Sequence, residues 1–207
     1  MIQRRMRIGV LISGSGTNLQ AIIDATESGA LEAEVVIVIS NHDSARGLVR
    51  AKEHGIDGVY IDRGRYNSIR EYNAAIRDIL RDYIVDVVVM AGYMRLLGKE
   101  VLDFWPNHVL NIHPALLPSF PGTSGIKDAF DFGVKVTGVT VHYANENFDE
   151  GPILAQEAIP ILEDDTVETL EARIHEVEHR IYPAALQLIA EGRVEIVGRK
   201  VKILDKR

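Results

Sequence analysis

The stretch "RIGVLISGSGTNLQ" (residues 7–20) decides the fold. Its first half, "RIGVLIS", is almost continuously apolar, which is typical of a strand buried on both faces of a parallel sheet. The glycines that follow allow a tight backbone turn, and helical spacing of apolar residues begins at Leu19. The stretch therefore predicts a first strand, a glycine-rich loop and a first helix.

The same alternation continues along the chain. Further apolar runs predict buried strands at residues 34–40, 58–61, 86–92 and 109–112, and helical spacing predicts crossover helices at residues 19–27, 45–54 and 69–83. Strands that alternate with helices are the mark of a mostly parallel sheet. We predict an α/β fold whose sheet is open, twisted and mostly parallel, with helices on both faces.

The character of the sequence changes after residue 112. A segment rich in proline and glycine, "HPALLPSFPGTSG", precedes a helical stretch at residues 126–132 and two predicted strands at residues 135–144 and 151–161. A long helix at residues 166–190 and a hairpin around Gly198 complete the chain. We expect antiparallel strands and a hairpin toward the C-terminus. Without an internal repeat or linker, we predict a single domain over residues 1–207.

Composition limits the possible functions. Apolar residues make up 46% and charged residues 26% of the 207 residues, as in a globular protein with a packed core. The net charge of -7 gives no overall attraction for nucleic acid or anionic lipid, so we expect neither as a partner. The sequence contains no cysteine, which excludes disulfides and a thiol nucleophile. The cytoplasm is the expected location.

The loop after the first predicted strand is a candidate anion site. Its glycines let the backbone approach a ligand, and the amides at the start of the following helix attract negative charge. It lacks the lysine of an ATP-binding loop and the third glycine of a dinucleotide fingerprint. A strand-to-helix turn without a ligand is the alternative. The residues concerned are Gly14, Ser15, Gly16, Thr17 and Asn18.

Polar residues lie at the carboxyl end of the fifth predicted strand, in "NIHPALLPSFPG" (residues 111–122). Asn111 supplies an amide donor, and His113 supplies a group that titrates near neutral pH on the same side of an extended chain. If Asp149 reached His113, it would favour and orient the imidazolium. A stiff surface loop and a solvated carboxylate are the alternatives.

Two further motifs each have two interpretations. "AGYMRLL" (residues 91–97) ends the fourth predicted strand and could belong to the core or line a pocket for a flat apolar ligand. "HEVEH" (residues 175–179) matches the HExxH pattern of zinc hydrolases. A catalytic zinc needs a third protein ligand, and no HxxGxxH extension follows, so this interpretation is disfavoured.

Five motifs, "GSGTNLQ", "AGYMRLL", "NIHPALLPSFPG", "VTGVTVHY" and "FDEGPILAQ", occur in this order. Together they resemble the motif set of the phosphoribosylglycinamide formyltransferase family, over about residues 7 to 190. The resemblance implies a Rossmann-like formyltransferase fold. It also implies that a formyl group passes from 10-formyltetrahydrofolate to the primary amine of glycinamide ribonucleotide in de novo purine synthesis, without a metal. Such a protein would act as a monomer or homodimer.

The resemblance also implies residue roles. The catalytic trio falls on Asn111, His113 and Asp149, the phosphate loop on residues 14–18, and a ribose-binding glutamate on Glu178. A solvated helix charge is the alternative for Glu178. Arg70 is one of two positions to which a basic folate contact could align, because the alignment slips there by one residue. The residues that match the folate site are Met94, Arg95, Leu96, Leu97, Asn145 and Glu146.

Related folate enzymes are the nearest alternatives. A methionyl-tRNA formyltransferase would carry an additional C-terminal domain and a basic surface, and a formyltetrahydrofolate deformylase an N-terminal regulatory domain. We expect neither, because this chain has no room for such a domain. A non-catalytic nucleotide-binding module is disfavoured because binding alone would not require Asn111, His113 and Asp149 together.

Overall fold

A seven-stranded sheet runs through the computed structural model, which describes residues 4–206. Its strands are β1 (Met6–Ile12), β2 (Ala33–Ser40), β3 (Gly58–Tyr60), β4 (Val87–Met90), β5 (Val109–His113), β6 (Val136–Tyr143) and β7 (Ile153–Pro160). They lie in the order β3-β2-β1-β4-β5-β6-β7, with the first five parallel and β6 and β7 antiparallel. A separate antiparallel hairpin pairs β8 (Val194–Val197) with β9 (Lys200–Ile203). The predicted fold class is therefore confirmed.

The helices are α1 (Thr17–Glu27), α2 (Arg46–Glu53), α3 (Ile69–Asp82), α4 (Lys99–Leu102), α5 (Gly125–Phe132) and α6 (Val167–Ala190). Local signals fix where two of them begin: the Ser68 side chain accepts from an amide of α3, and Thr166 and Thr169 form a reciprocal capping box on α6. α4 is absent from the sequence prediction because its four residues are too few to show helical periodicity.

Apolar side chains pack on both faces of the sheet. Alternate residues of β1 point in opposite directions, so Ile8, Val10 and Ile12 join one core cluster and Leu11 joins the other. The first cluster lies beneath α1 and α6, and the second beneath α3 and α4. Burial on both faces explains why the strands are continuously apolar.

The strand order reverses between β1 and β4. The chain runs outward from β1 through β2 to β3, then returns to the other side of β1 as β4. In open α/β sheets, ligands bind beyond the carboxyl ends of the strands at such a reversal. The ends of β1 and β4 therefore define the expected place for a site.

Tyr182 fixes the long helix α6 against this part of the sheet. Its buried hydroxyl lies 3.0 Å from the carbonyl oxygen of Met90 on β4 and 3.1 Å from that of Leu110 on β5. Glu178 lies about one helical turn before Tyr182, so this anchor sets its height above the strand ends. In the range 4–206, no helix is both long and apolar enough to span a membrane.

Candidate functional site

A cavity of about 660 Å³ opens where the strand order reverses. Its wall consists mainly of the loop after β1, the segment after β4, the end of β5, residues 122–127 at the start of α5 and one face of α6. Small-molecule sites measure roughly 300–1,000 Å³, so the cavity has the size of a nucleotide or drug-like ligand. The residues that line it and were singled out in the sequence are Gly14, Ser15, Gly16, Thr17, Asn18, Met94, Asn111, His113, Asp149 and Glu178.

The loop of residues 14–18 leaves the first amides of α1 open. Gly16 occupies the helix N-cap in the left-handed region (φ 68°), and no side chain caps the helix. These amides need an acceptor, and the helix dipole adds partial positive charge at the same place. The open amides make this loop a candidate site for an anion.

Helix α2 supports this loop from behind. The Gly47 amide donates to the Gly14 carbonyl at 3.1 Å, and the Arg50 guanidinium donates to the Ser15 carbonyl at 2.9 Å. A Cβ atom on Gly16 would lie 2.7 Å from Cα of Gly47, so position 16 must be glycine for the two backbones to approach this closely. Sequence reasoning missed this support, because only the fold brings α2 to the loop.

Glu178 enters the cavity from α6 as a buried carboxylate. Its Oε2 accepts from the Asn18 amide at 3.0 Å and lies 2.8 Å from Nδ1 of His175. The hydrogen bond to Glu178 raises the pKa of His175 above its usual value, against the opposing effect of burial. Oδ1 of Asn18 is buried and has no hydrogen-bond partner among the described residues.

Asn111, His113 and Asp149 meet on the other side of the cavity. Asp149 places Oδ2 3.5 Å from Nδ1 of His113 and Oδ1 3.4 Å from the Asn111 amide nitrogen. Asn111 and His113 come from β5, whereas Asp149 comes from the loop between β6 and β7. The structure thus brings together three residues that are up to 38 positions apart.

The carboxylate of Asp149 is held in its charged form. Burial acts to raise the pKa of Asp149, but contacts with His142, the Gly122 amide and His113 outweigh it and lower the pKa. The Gly122 amide donates to Oδ2 at 2.8 Å.

Hydrogen bonding places a proton on Nε2 of the His113 ring. Nε2 lies 2.7 Å from the Phe120 carbonyl oxygen, which can only accept, so this nitrogen carries a proton. Nδ1 faces the Asp149 carboxylate, which also accepts. The ring therefore lies between two acceptors.

His142 is a member of this cluster that sequence reasoning missed. Its Nε2 lies 3.2 Å from the Asn111 amide nitrogen and 3.5 Å from Oδ1 of Asp149, and the ring is buried. The histidine lies within the quoted motif "VTGVTVHY", but a histidine in a strand gives no local sign of function. The antiparallel register of β5 and β6, which pairs Asn111 with His142, reveals it.

The residues predicted for the folate lie in three different places. Met94 lines the main cavity, whereas Leu96, Leu97 and Asn145 line a small adjacent recess of about 20 Å³. The recess shares Asn111 and Asp149 with the main cavity, so it lies beside the trio. Its volume is near that of one or two water molecules, far too small for a pterin ring.

Three other predicted folate residues line neither space. Glu146 pairs with Lys99 at 3.2 Å, and the side chain of Arg70 is 86% exposed, 3.6 Å from Glu100. Nε of Arg95 lies 3.1 Å from the Asn41 amide. In this conformation, these three side chains do not converge on a ligand site.

The HEVEH segment does not form a metal site in this arrangement. His175 and His179 stack with parallel rings 6.1 Å apart, and Nδ1 of His175 is bonded to Glu178. Over residues 4–206, no group of three or more histidine, aspartate or glutamate side chains is arranged to hold a metal ion. Of the two glutamates in this segment, Glu178 faces the cavity, and the zinc pattern leaves that position unspecified.

The open α/β sheet, the anion loop after β1 and the cluster of Asn111, His113 and Asp149 lie within residues 6–186, which match the family model described as formyl transferase. A phosphoribosylglycinamide formyltransferase from Haemophilus influenzae is 42% identical over 92% of this chain and 90% of its own. A crystal structure of glycinamide ribonucleotide transformylase 1 from Symbiobacterium toebii superposes with a TM-score of 0.96 at 51% identity, covering 98% of this chain and 95% of that one. The chain therefore belongs to the phosphoribosylglycinamide formyltransferase family, as the motifs predicted.

Two other relatives differ from this chain in length or in the reaction that they are named for. The trifunctional purine biosynthetic protein adenosine-3 of Gallus gallus is 45% identical over 98% of this chain, but the chain spans only 20% of its length. A formyltetrahydrofolate deformylase from Pseudomonas syringae has a TM-score of 0.90 at 27% identity, covering 99% of this chain and 67% of that one. The fold alone therefore does not distinguish transfer of a formyl group from its hydrolysis.

Proposed function

We propose that this protein transfers the formyl group of 10-formyltetrahydrofolate to the primary amine of glycinamide ribonucleotide in de novo purine synthesis. The observation that carries the proposal is one cavity with an anion loop and a buried ribose-type carboxylate on one side and the Asn111, His113 and Asp149 cluster on the other. A nucleotide held by its phosphate and ribose would present its amine to the cluster.

The ribonucleotide would lie across the main cavity. Its phosphate would accept from the open amides of residues 14–18, and its ribose hydroxyls would donate to Glu178. Because Oε2 of Glu178 is occupied by Asn18 and His175, Oε1 is the oxygen left for the ribose. Both contacts fix the position of the amine without taking part in the chemistry.

The reaction forms one carbon–nitrogen bond and breaks another. The amine attacks the formyl carbon, an oxyanion develops, and the bond to the folate nitrogen then breaks. Groups placed where the oxyanion develops are typically the largest catalytic contribution. Asn111 would donate a hydrogen bond to it, because its 3.4 Å contact with Asp149 is long and easily exchanged. His113, whose short bond to Phe120 is already made, would contribute the charge of its imidazolium.

Proton transfer is the second task. The attacking amine loses a proton and the departing folate nitrogen gains one. Asp149 would keep His113 protonated and help to order a water that carries this proton. The lowered pKa of Asp149 suits this supporting role, because the carboxylate remains charged at neutral pH.

The folate would enter beside the trio, along residues 94–97 and under the loop of residues 145–149. Since the recess there is only about 20 Å³, this loop must move outward before a pterin ring fits. Leu96 and Leu97 would then contact the ring, with Met94, Arg95, Asn145, Glu146 and Arg70 as the remaining predicted contacts. Asp149 belongs to the same loop, so folate binding would also adjust the trio.

A spectrophotometric assay with a 10-formyl folate analogue tests the proposal. Turnover that requires glycinamide ribonucleotide is the expected result. Release of formate without the ribonucleotide would instead identify a deformylase. A His113→Ala variant should lose turnover while retaining folate binding, and wild-type rates in it would remove the proposed role of His113.

We further propose that residues 1–207 act as one formyltransferase domain, as a monomer or homodimer in the cytoplasm, with no metal and no nucleic-acid partner. Light scattering of the purified protein tests the oligomeric state, and metal analysis tests the absence of a metal. Stoichiometric zinc tied to activity would contradict the proposed chemistry.

A further inference from the structure

Ser13 lies where the two predicted substrate sites meet. It follows β1 directly, precedes the anion loop and lines the main cavity. Its amide donates to the Gly92 carbonyl at 3.1 Å, and its hydroxyl accepts from the Met94 amide at 2.9 Å. One residue therefore joins the start of the anion loop to the start of the predicted folate segment.

Asn41, at the end of β2, extends this connection. Its neighbours are all satisfied when its amide nitrogen faces the Ser13 hydroxyl at 2.7 Å and the Ile12 carbonyl at 3.2 Å. Its oxygen then accepts from Nε of Arg95 at 3.1 Å. The connection crosses the neighbouring strands β2, β1 and β4 at their carboxyl ends.

The hydrogen-bonding capacity of a serine hydroxyl determines which of its bonds a ligand can make. A hydroxyl oxygen accepts two hydrogen bonds and donates one. Met94 and Asn41 fill both acceptor positions, so the proton is left for a ligand in the cavity. A ligand oxygen that accepts this proton would strengthen the bonds that Ser13 accepts, because linked hydrogen bonds polarise one another.

We propose that Ser13 and Asn41 form a bridge that couples ribonucleotide binding to ordering of the folate segment at residues 94–97. The inference rests on the proposed function, because the two ligands are those of that reaction. A ligand that orders the anion loop also orders the start of the folate segment through the bridge. The second ligand then has less conformational entropy to lose, which gives positive coupling. Both residues act as positioning residues.

Calorimetric titration measures this coupling directly. Glycinamide ribonucleotide is titrated into the protein with and without saturating tetrahydrofolate, which lacks the formyl group and therefore cannot react. The wild-type affinity should rise about fivefold or more with tetrahydrofolate present, at the lower end of typical coupling between sites. By linkage, ribonucleotide should raise the affinity for tetrahydrofolate by the same factor.

Variants then locate the coupling. Ser13→Ala should reduce the factor to near one, Ser13→Thr should restore it by keeping the hydroxyl, and Ser44→Ala, an exposed serine in the turn after Asn41, should leave it unchanged. If Ser13→Ala does not fold, Asn41→Ala gives the decision, because it removes the bonds to both Ser13 and Arg95.

The outcomes are distinct. Equal coupling in wild type and the bridge variants, or no coupling in wild type, would overturn the bridge while leaving the reaction intact. Failure of the wild type to bind either ligand would overturn the proposed function and the bridge with it. If the two residues had only a structural role, their replacement would weaken the affinity for each ligand alone but leave the coupling factor between the two ligands unchanged.

Discussion

Replacing Glu178 by glutamine tests the ribose site. The carboxylate is buried, with 4% of its surface exposed, and its Oε2 accepts from Asn18 at 3.0 Å and from His175 at 2.8 Å. Glutamine has the same shape but one acceptor oxygen and no charge. If that oxygen keeps Asn18 and His175, an NH₂ group faces the cavity where Oε1 would accept from the ribose.

The expected change in KM follows from the loss of this hydrogen bond to a charged group. A hydrogen bond to a charged group contributes about 1.5–3 kcal/mol. At about 1.4 kcal/mol per factor of ten, KM for glycinamide ribonucleotide should rise about 10- to 150-fold. The ribose contact is the same in the ground state and the transition state, so kcat should change little.

Steady-state kinetics with varied ribonucleotide and saturating 10-formyl folate measures both constants. Glu176→Gln is the matched control, because Glu176 is exposed two residues earlier on the same helix. A Glu178→Gln variant with an unchanged KM and a reduced kcat would refute the ribose assignment and place Glu178 in the chemical step.

Three other predictions concern catalysis, pH and the loop. Asn111→Ala should lower kcat by about 10²–10³ with little change in either KM, as measured by steady-state kinetics, because it removes an oxyanion donor. The bond to Glu178 raises the pKa of His175 above 6.5, so the attraction between the imidazolium and the carboxylate is complete below that pH and is lost as the pH rises through the raised pKa. KM for glycinamide ribonucleotide should therefore increase in the wild type as the pH rises from 6.5 through the raised pKa of His175. In His175→Gln it should not change with pH over the same range. Gly16→Ala should lower the free energy of unfolding in urea by about 1–3 kcal/mol, because it forces a side chain into the left-handed region against α2. Gly14→Ala, whose Cβ meets nothing within 4 Å, should not.

The fold was predictable because its signals are local. Continuous apolar runs mark β1, β2, β4 and β5, and the spacing between them marks the crossover helices. The short helix α4 was missed because four residues carry no period. The order of the strands is a tertiary property that only the structure supplies.

The site was predictable in part. Loops that follow parallel strands converge at one edge of the sheet, so the meeting of residues 14–18 with Asn111 and His113 follows from the strand assignments. The roles of His142, Arg50 and Ser13 depend on side chains that reach across elements, and no local pattern encodes such contacts.

The positions of the predicted folate residues are the part of the site that the sequence predicts least well. The sequence treats residues 94–97 as one segment, yet Met94 faces the main cavity and Leu96 the recess. Glu146 pairs with Lys99, and Arg70 extends into solvent. These placements depend on side chains that the fold brings together, which the local sequence does not encode.

The central claim is that the formyl carbon passes directly to the ribonucleotide amine. Incubation with 10-formyltetrahydrofolate carrying ¹³C in the formyl group, followed by NMR, shows where that carbon goes. The account predicts a labelled formamide on the ribonucleotide, formed at the rate at which the folate loses its formyl group. Labelled formate at that rate, with no label on the ribonucleotide, would contradict it.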